Sequence, residues 1–179
     1  MSTILAFAGS NSSTSINHQL VTYLTTQLRE TSFELFKLSD MDLIVYSEDE
    51  QRDNGFPSSI NQIYKHIQAS EGLLISVNEH NGNPSAFFKN VIDWLSRLDR
   101  KFLEGKKIFL LSTSNGARGG VGSLEVTKNM LPRFGAEIVD TYSLPSFKEN
   151  FSIEETKITN DEIKNEILEK LHQFEIALK

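Results

Sequence analysis

Hydrophobic positions along the chain follow two alternating periods. Short unbroken apolar runs recur at Ile4-Leu5-Ala6-Phe7-Ala8, Leu73-Leu74-Ile75-Ser76-Val77 and Ile108-Phe109-Leu110-Leu111. Runs this short and continuous predict strands buried on both faces. Phe33, Leu35, Phe36 and Leu38 predict the second strand in chain order, and Ile138-Val139 with Tyr142 the fifth. Between them the apolar spacing changes to three and four residues. Leu20, Val21, Leu24 and Leu28 predict one helix, and Ile60, Ile63, Tyr64 and Ile67 the next. Phe88, Val91, Ile92, Leu95 and Leu98 mark a third, with Asn83 as its expected N-cap and Pro84 at its first position. Leu124, Thr127, Met130, Leu131 and Phe134 predict a fourth, kinked by Pro132 and stopped by Gly135. A last helix carries Ile163, Ile167, Leu171, Phe174 and Leu178, and Thr159 and Glu162 ahead of it have capping-box spacing.

Two stretches carry no apolar period. Residues 40–58 read as a long polar surface loop, and residues 145–159 as a polar connection too short to divide domains. One domain spanning 1–179 is therefore expected. Strand–helix alternation with continuous apolar strands predicts a parallel sheet with helices on both faces, a doubly wound α/β sandwich. In such sheets ligands sit beyond the carboxyl ends of the strands. The loops after the first, third and fourth strands are where chemistry is expected.

Composition narrows the classes. Hydrophobic residues make up 39% of the 179, which places the chain with globular proteins. Cysteine is absent, so disulfides, thiolate nucleophiles and Cys-ligated metals are excluded, and a cytoplasmic setting is expected. A formal charge of −6 argues against nucleic-acid binding through phosphate neutralisation. No apolar stretch approaches about 18 residues, so neither a membrane span nor a signal peptide is expected.

The first loop runs Gly9-Ser10-Asn11-Ser12-Ser13-Thr14-Ser15-Ile16-Asn17, uncharged and rich in hydroxyls, and opens a helix. A helix N-terminus offers free N–H groups and partial positive charge, which suits a phosphate. An ordinary Ser-rich capping loop would read the same way. G-x-G-x-x-G and the P-loop Gly-Lys-Ser/Thr are both missing, so a single phosphate monoester fits better than a pyrophosphate or triphosphate. The second loop, Asn78-Glu79-His80-Asn81-Gly82-Asn83, offers polar groups to a heterocycle or simply makes an Asn-Gly turn. The third, Ser112 to Gly122, holds Gly116, Gly119, Gly120 and Gly122, which permit close backbone approach to a flat ligand. No G-x-S-x-G elbow occurs, and no His, Asp or Glu spacing suggests a metal.

Together these loops resemble the NADPH-dependent FMN reductase family of flavodoxin-like proteins. The match runs from Ile4 to about Phe147. Its most specific part is Glu79-x-Asn81-Gly82 followed by Phe88-Lys89-Asn90 and Ile92-Asp93-Trp94-Leu95-Ser96-Arg97. The resemblance implies a flavodoxin-like sandwich with a five-stranded parallel sheet of order 2-1-3-4-5. It implies FMN as cofactor, NADPH or NADH as reductant, a small-molecule electron acceptor such as a flavin or quinone, and a homodimer or homotetramer. By the same resemblance Ser10, Ser12, Ser15, Ile16 and Asn17 surround the phosphate. Asn78, Glu79, His80, Asn81 and Gly82 line the ring and ribityl side. Ser114, Asn115 and Gly116 meet the pyrimidine edge, with Arg118 beside them. No catalytic side chain is implied. The chain departs from the family at Ser12, where arginine is frequent, at Asn78-Glu79-His80, where Pro-Glu-Tyr is usual, and at Asn83, where serine is common. A flavodoxin-type electron carrier and a cofactor-free regulatory relative are the alternative readings.

Asp93 and Arg97, four apart, are expected to pair on their helix. Trp94 is expected in the core or at an interface, and His18, His66 and His172 on helix surfaces.

Overall fold

The apolar runs form one parallel sheet in the computed structural model, which describes residues 3–179. Its strands are β1 (Thr3–Ala8), β2 (Ser32–Leu35), β3 (Gly72–Val77), β4 (Lys107–Thr113) and β5 (Glu137–Leu144). Their order in the sheet is β2-β1-β3-β4-β5, and every neighbouring pair is parallel. This is the doubly wound order expected. Alternation along β1 sends Leu5 and Phe7 to one face and Ile4 and Ala6 to the other. On the first face pack α3 (Ser58–Ala69), α4 (Ala86–Leu98) and α5 (Val121–Met130), through residues such as Ile63, Trp94 and Leu124. On the second pack α1 (Ile16–Thr25) and α7 (Asp161–Ala177), through Leu20, Leu24, Leu171 and Phe174. Among the described residues no helix is long and apolar enough to cross a membrane.

Local structure departs from the sequence pattern in five places. Within the polar stretch 40–58 lies α2 (Glu48–Asn54), which buries no residue. It is held by its ends: the Ser47 hydroxyl accepts from the Glu50 N–H, three acids occupy the first turn, and Gly55 closes it at φ 76°. Asn83 and Pro84 do not start α4. They pair antiparallel with His80 and Glu79, and Ser85 is the N-cap, its hydroxyl accepting from the Phe88 N–H. Thr159 is likewise not the cap of α7. Asn160 is, its side-chain oxygen accepting from the N–H groups of Glu162 and Ile163.

The segment 145–159 is more structured than its polarity suggests. It contains the four-residue α6 (Phe147–Asn150) and a hairpin of Phe151–Ser152 with Lys157–Ile158, anchored by buried Phe147, Phe151 and Ile158. Finally, α5 ends at Met130 and continues as a 3-10 turn over Leu131–Phe134. Pro132 sits near the start of that turn, where its missing N–H costs nothing, and Gly135 ends it at φ 100°.

Candidate functional site

Loops one, two and three converge beyond the carboxyl ends of β1, β3 and β4. They enclose an open cleft of about 310 Å³ lined by residues of all three, from Ser10 to Asn17, Asn78 with Glu79, and Thr113 to Asn115. That volume lies at the lower end of the range for small-molecule sites.

The first loop is organised by its own hydroxyls. The Ser10 hydroxyl accepts from the Ser12 N–H, the Ser12 hydroxyl accepts from the Thr14 N–H, and the Ser15 N–H donates to the Ser12 carbonyl. Ser15 then caps α1, its hydroxyl accepting from the His18 N–H at 3.2 Å while its carbonyl takes the Gln19 N–H. A helix leaves its first four N–H groups without intrahelical carbonyl partners beyond the cap. With Ser15 served by the Ser12 carbonyl and His18 by the cap, those of Ile16 and Asn17 remain, and both residues line the cleft. No acidic residue occupies the first turn of α1, in contrast to α2 and α7. The positive end of its dipole is therefore not neutralised from within. His18 adds no cation, because burial and then Lys37 hold its imidazole below the usual histidine range.

Asn17 has a second role, which its sequence neighbourhood did not reveal. Its side chain is buried and spent inside the fold. Its Nδ2 donates to the Thr113 carbonyl, while its Oδ1 accepts from the Thr113 N–H and the Ser76 hydroxyl. Only its backbone N–H remains for a ligand.

The second loop is a tight hairpin. Asn81 (φ 53°) and Gly82 (φ 75°) turn between the paired Glu79–His80 and Asn83–Pro84, the two positive φ values of a type I′ turn. Glu79 fastens this hairpin to the third loop. Its Oε2 accepts from the Ser123 N–H at 3.0 Å, so a carboxylate sits on the N-terminus of α5. The Ser123 hydroxyl donates to the Asn78 carbonyl at 2.8 Å. Gly122 makes the approach possible, since a Cβ there would lie 2.8 Å from Glu79 Oε2. Glu79 is thus the cleft's one carboxylate, and it is already engaged.

The third loop is pinned from beneath. The Ser112 hydroxyl donates to the Gly119 carbonyl, the Thr113 hydroxyl to the Leu144 carbonyl, and the Gly116 N–H to the Ser114 hydroxyl. Gly119 takes φ 57°, and a Cβ there would press to 2.6 Å from the Leu144 carbonyl oxygen.

Of the residues nominated from sequence, Ser10, Ser12, Ser15, Ile16, Asn17, Asn78, Glu79, Ser114 and Asn115 line the cleft. His80, Asn81, Gly82, Gly116 and Arg118 lie outside that lining, on the exposed parts of their loops. Thr14 and Thr113 line it and were not nominated. Thr14 was one hydroxyl among many, and Thr113 sits at the end of an apolar strand. Asp93 pairs with Lys89 at 2.5 Å rather than with Arg97, whose Nε donates to Gln51. Trp94 is fully buried, and its indole N–H donates to the Ile44 carbonyl.

The model of NADPH-dependent FMN reductases matches residues 2–149. The chain belongs to that family. Quinone reductase of Escherichia coli K12 is 35% identical over 79 residues, 44% of this chain and 42% of that protein. The chain spans less than half the length of that curated relative. Among solved structures, the flavoenzyme NAD(P)H:(acceptor) oxidoreductase FerB of Paracoccus denitrificans superposes with a TM-score of 0.81 at 23% identity. That superposition covers 97% of this chain and 95% of FerB. An NADH:FMN oxidoreductase in its apo form gives a TM-score of 0.75 at 16% identity, covering 100% of this chain and 91% of that one. These two structural likenesses establish a shared flavodoxin-like fold.

The cleft of this FMN reductase family member suits a phosphate-bearing flavin in its chemistry. Its end at α1 offers N–H groups and hydroxyls, and its single carboxylate is turned to α5. Asn78 adds a buried side-chain oxygen that has no hydrogen-bond partner in the protein.

Proposed function

We propose that this protein is an FMN-dependent NAD(P)H oxidoreductase that passes electrons to a small acceptor such as a quinone or a flavin. The observation that carries the reading is the N-terminus of α1. Two first-turn N–H groups, those of Ile16 and Asn17, stand at the cleft among the hydroxyls of Ser10, Ser12, Thr14 and Ser15, with no acid in the turn. A phosphate monoester is the anion that such a donor set holds without a cation.

In this reading the phosphate rests on those N–H groups and hydroxyls. The sugar chain crosses Asn78, and the ring lies against the hairpin 78–82 and the turn Ser114-Asn115-Gly116. Bound FMN supplies hydride transfer between the nicotinamide and the acceptor. The protein's own contribution is to bind and orient. Backbone N–H groups of the third loop face the ring edge where negative charge develops, and the Glu79 carboxylate fixes the hairpin in place. Arg118, exposed beside the third loop, is free to meet an anionic group of the nicotinamide cofactor. The apolar strap of Ile44 and Val45, 53% and 76% exposed, supports self-association as a dimer or tetramer.

The test is spectroscopic. Purified protein is equilibrated with FMN, freed of unbound ligand, and its visible spectrum recorded before and after anaerobic NADPH or NADH. Retained flavin that bleaches, and recovers on adding a quinone, is the expected result. Retained flavin that neither nucleotide reduces, but a protein donor does, would make this an electron carrier instead.

A further inference from the structure

Asparagine followed by glycine is a pair prone to close on itself. The glycine nitrogen attacks the asparagine side-chain carbonyl carbon, and no side chain on the glycine obstructs it. The chain has three such pairs, Asn54-Gly55, Asn81-Gly82 and Asn115-Gly116. Two are locked by the fold. The Gly55 N–H donates to the Gln51 carbonyl at 3.0 Å, and Asn54 Nδ2 donates to Glu50 Oε1 at 2.9 Å. The Gly116 N–H donates to the Ser114 hydroxyl, and the Gly116 carbonyl accepts from the N–H groups of Gly119 and Ser146. In both pairs the nitrogen must break a hydrogen bond before it can attack.

Asn81-Gly82 differs on each count. Both residues are exposed, at the tip of a two-residue turn. Among the described residues, neither the Gly82 N–H nor the Asn81 side chain has a hydrogen-bond partner. The bond that this peptide group does make favours reaction: Asn83 Nδ2 donates to the Asn81 carbonyl at 3.2 Å. That carbonyl shares its peptide with the Gly82 nitrogen. A donor on it draws charge off the nitrogen and stabilises the amide anion that attacks.

We infer that Asn81 is a site of intrinsic modification, converting to aspartate and isoaspartate with water as the co-reactant. The Gly82 nitrogen gives its proton to solvent hydroxide and bonds to the Asn81 side-chain carbonyl carbon. That carbon releases its amide nitrogen, which takes a proton back from water and leaves as ammonia. A cyclic imide remains. Water then adds to one of the two imide carbonyls and breaks its bond to the ring nitrogen. Opening at the side-chain carbonyl restores the chain as aspartate. Opening at the backbone carbonyl routes the chain through the side chain, as isoaspartate. Either product adds a negative charge, and isoaspartate also lengthens the backbone of the turn. The hairpin that receives the change packs on α5, with Gly82 beside Gly122 and Glu79 bonded to the Ser123 N–H. The modification therefore acts on a wall of the cleft.

The test is peptide mapping. Purified protein is incubated for days in mildly alkaline buffer, either folded or unfolded in guanidinium, then digested with trypsin and mapped by mass spectrometry. The three pairs fall in separate peptides, 53–65, 66–89 and 108–118. Conversion is read as the mass gained when the amide NH2 becomes OH, and fragmentation separates aspartate from isoaspartate. In the folded protein Asn81 is expected to convert roughly tenfold faster than Asn54 or Asn115, the factor supplied by one hydrogen bond that need not be broken. In the unfolded chain the three are expected to convert at similar rates. Asn81→Gln is expected to abolish the gain in its peptide, since Asn83 precedes Pro84, which has no N–H to attack with. Asn83→Ala, which removes the donor and keeps the pair, is expected to slow Asn81 several-fold. Folded protein in which Asn54 or Asn115 converts as fast as Asn81 would overturn the inference. So would an Asn81 that stays intact while the unfolded chain converts, or a gain that persists in Asn81→Gln. An unchanged rate in Asn83→Ala would overturn the part assigned to Asn83.

Discussion

Asn17 and Thr113 hold each other in both directions. Across 96 residues of sequence, Asn17 Nδ2 donates to the Thr113 carbonyl at 3.1 Å and Asn17 Oδ1 accepts the Thr113 N–H at 3.0 Å. The Ser76 hydroxyl joins the same oxygen at 2.7 Å. One buried side chain thus ties the start of α1 to the ends of β3 and β4, and sets the three loops of the cleft relative to one another. Asn17→Ala leaves three polar groups without their partner. The expected loss is about 2–4 kcal/mol of stability, read as a lower denaturant midpoint. Ser15→Ala, which removes only the cap, is expected to cost about 1 kcal/mol. Equal effects of the two would contradict this account of Asn17.

Gly122 and Glu79 are expected to behave as a pair. Gly122→Ala puts a Cβ 2.8 Å from the carboxylate oxygen and displaces it from the N-terminus of α5. Glu79→Gln keeps the approach and loses the charge, at an expected cost of about 0.5–1 kcal/mol. Gly122→Ala is expected to cost more. Combined with Glu79→Ala it should be less than additive, because both substitutions remove the same contact. Thermal unfolding of the four-member cycle checks this, and strict additivity would refute it.

Glu175 gives the stability a pH dependence. Its carboxylate, 3% exposed on α7, is pushed up by burial. It is pulled down further by the Thr31 hydroxyl and the N–H groups of Glu30, Arg29 and Thr31, so its pKa falls below 4.5. A depressed folded-state pKa means that the stabilisation is complete above the unfolded value. It is lost as pH falls through the folded one. Glu175→Gln is expected to lower the denaturant midpoint clearly at pH 7. The gap from wild type should narrow as pH falls below 4.5. A gap that stays constant down to acid unfolding would show that ionisation plays no part.

The three central strands β1, β3 and β4 were legible because each is a nearly continuous apolar run whose two faces are both buried, as Leu5 and Ile4 illustrate, whereas the edge strand β2 is largely exposed. The three loops were legible because Gly, Asn and Ser cluster at strand ends. Elements stabilised by caps rather than by apolar burial escaped notice. Helix α2 has no buried residue, and its signal was the pair Ser47 and Glu50. The hairpin at Asn81-Gly82 carried the strongest short-range turn signal in the chain, yet Pro84 next to an apolar helical stripe drew the helix start two residues early. Asn90 and Trp94, in the most specific family motif, turn out to fasten the segment 44–46. The Asn90 oxygen accepts from the Tyr46 N–H, and both side chains donate to the Ile44 carbonyl. No spacing rule links positions 46 residues apart. The role of Asn17 was hidden for the same reason: its partners are 59 and 96 residues away.

The central claim is that backbone N–H groups of α1 hold the phosphate of FMN. Ile16→Pro tests it most directly. Proline is well tolerated at the first position of a helix, and Ser15, at φ −60° and ψ 119°, already has the backbone that proline demands of the residue before it. The substitution deletes one N–H and little else, and Ile16→Ala controls for the lost side chain. The measurement is the FMN dissociation constant of the two variants by fluorescence titration. Binding about tenfold weaker in Ile16→Pro than in Ile16→Ala, with similar Tm values, is the predicted result. Equal affinities in two folded variants would contradict the claim and move the phosphate away from the N-terminus of α1.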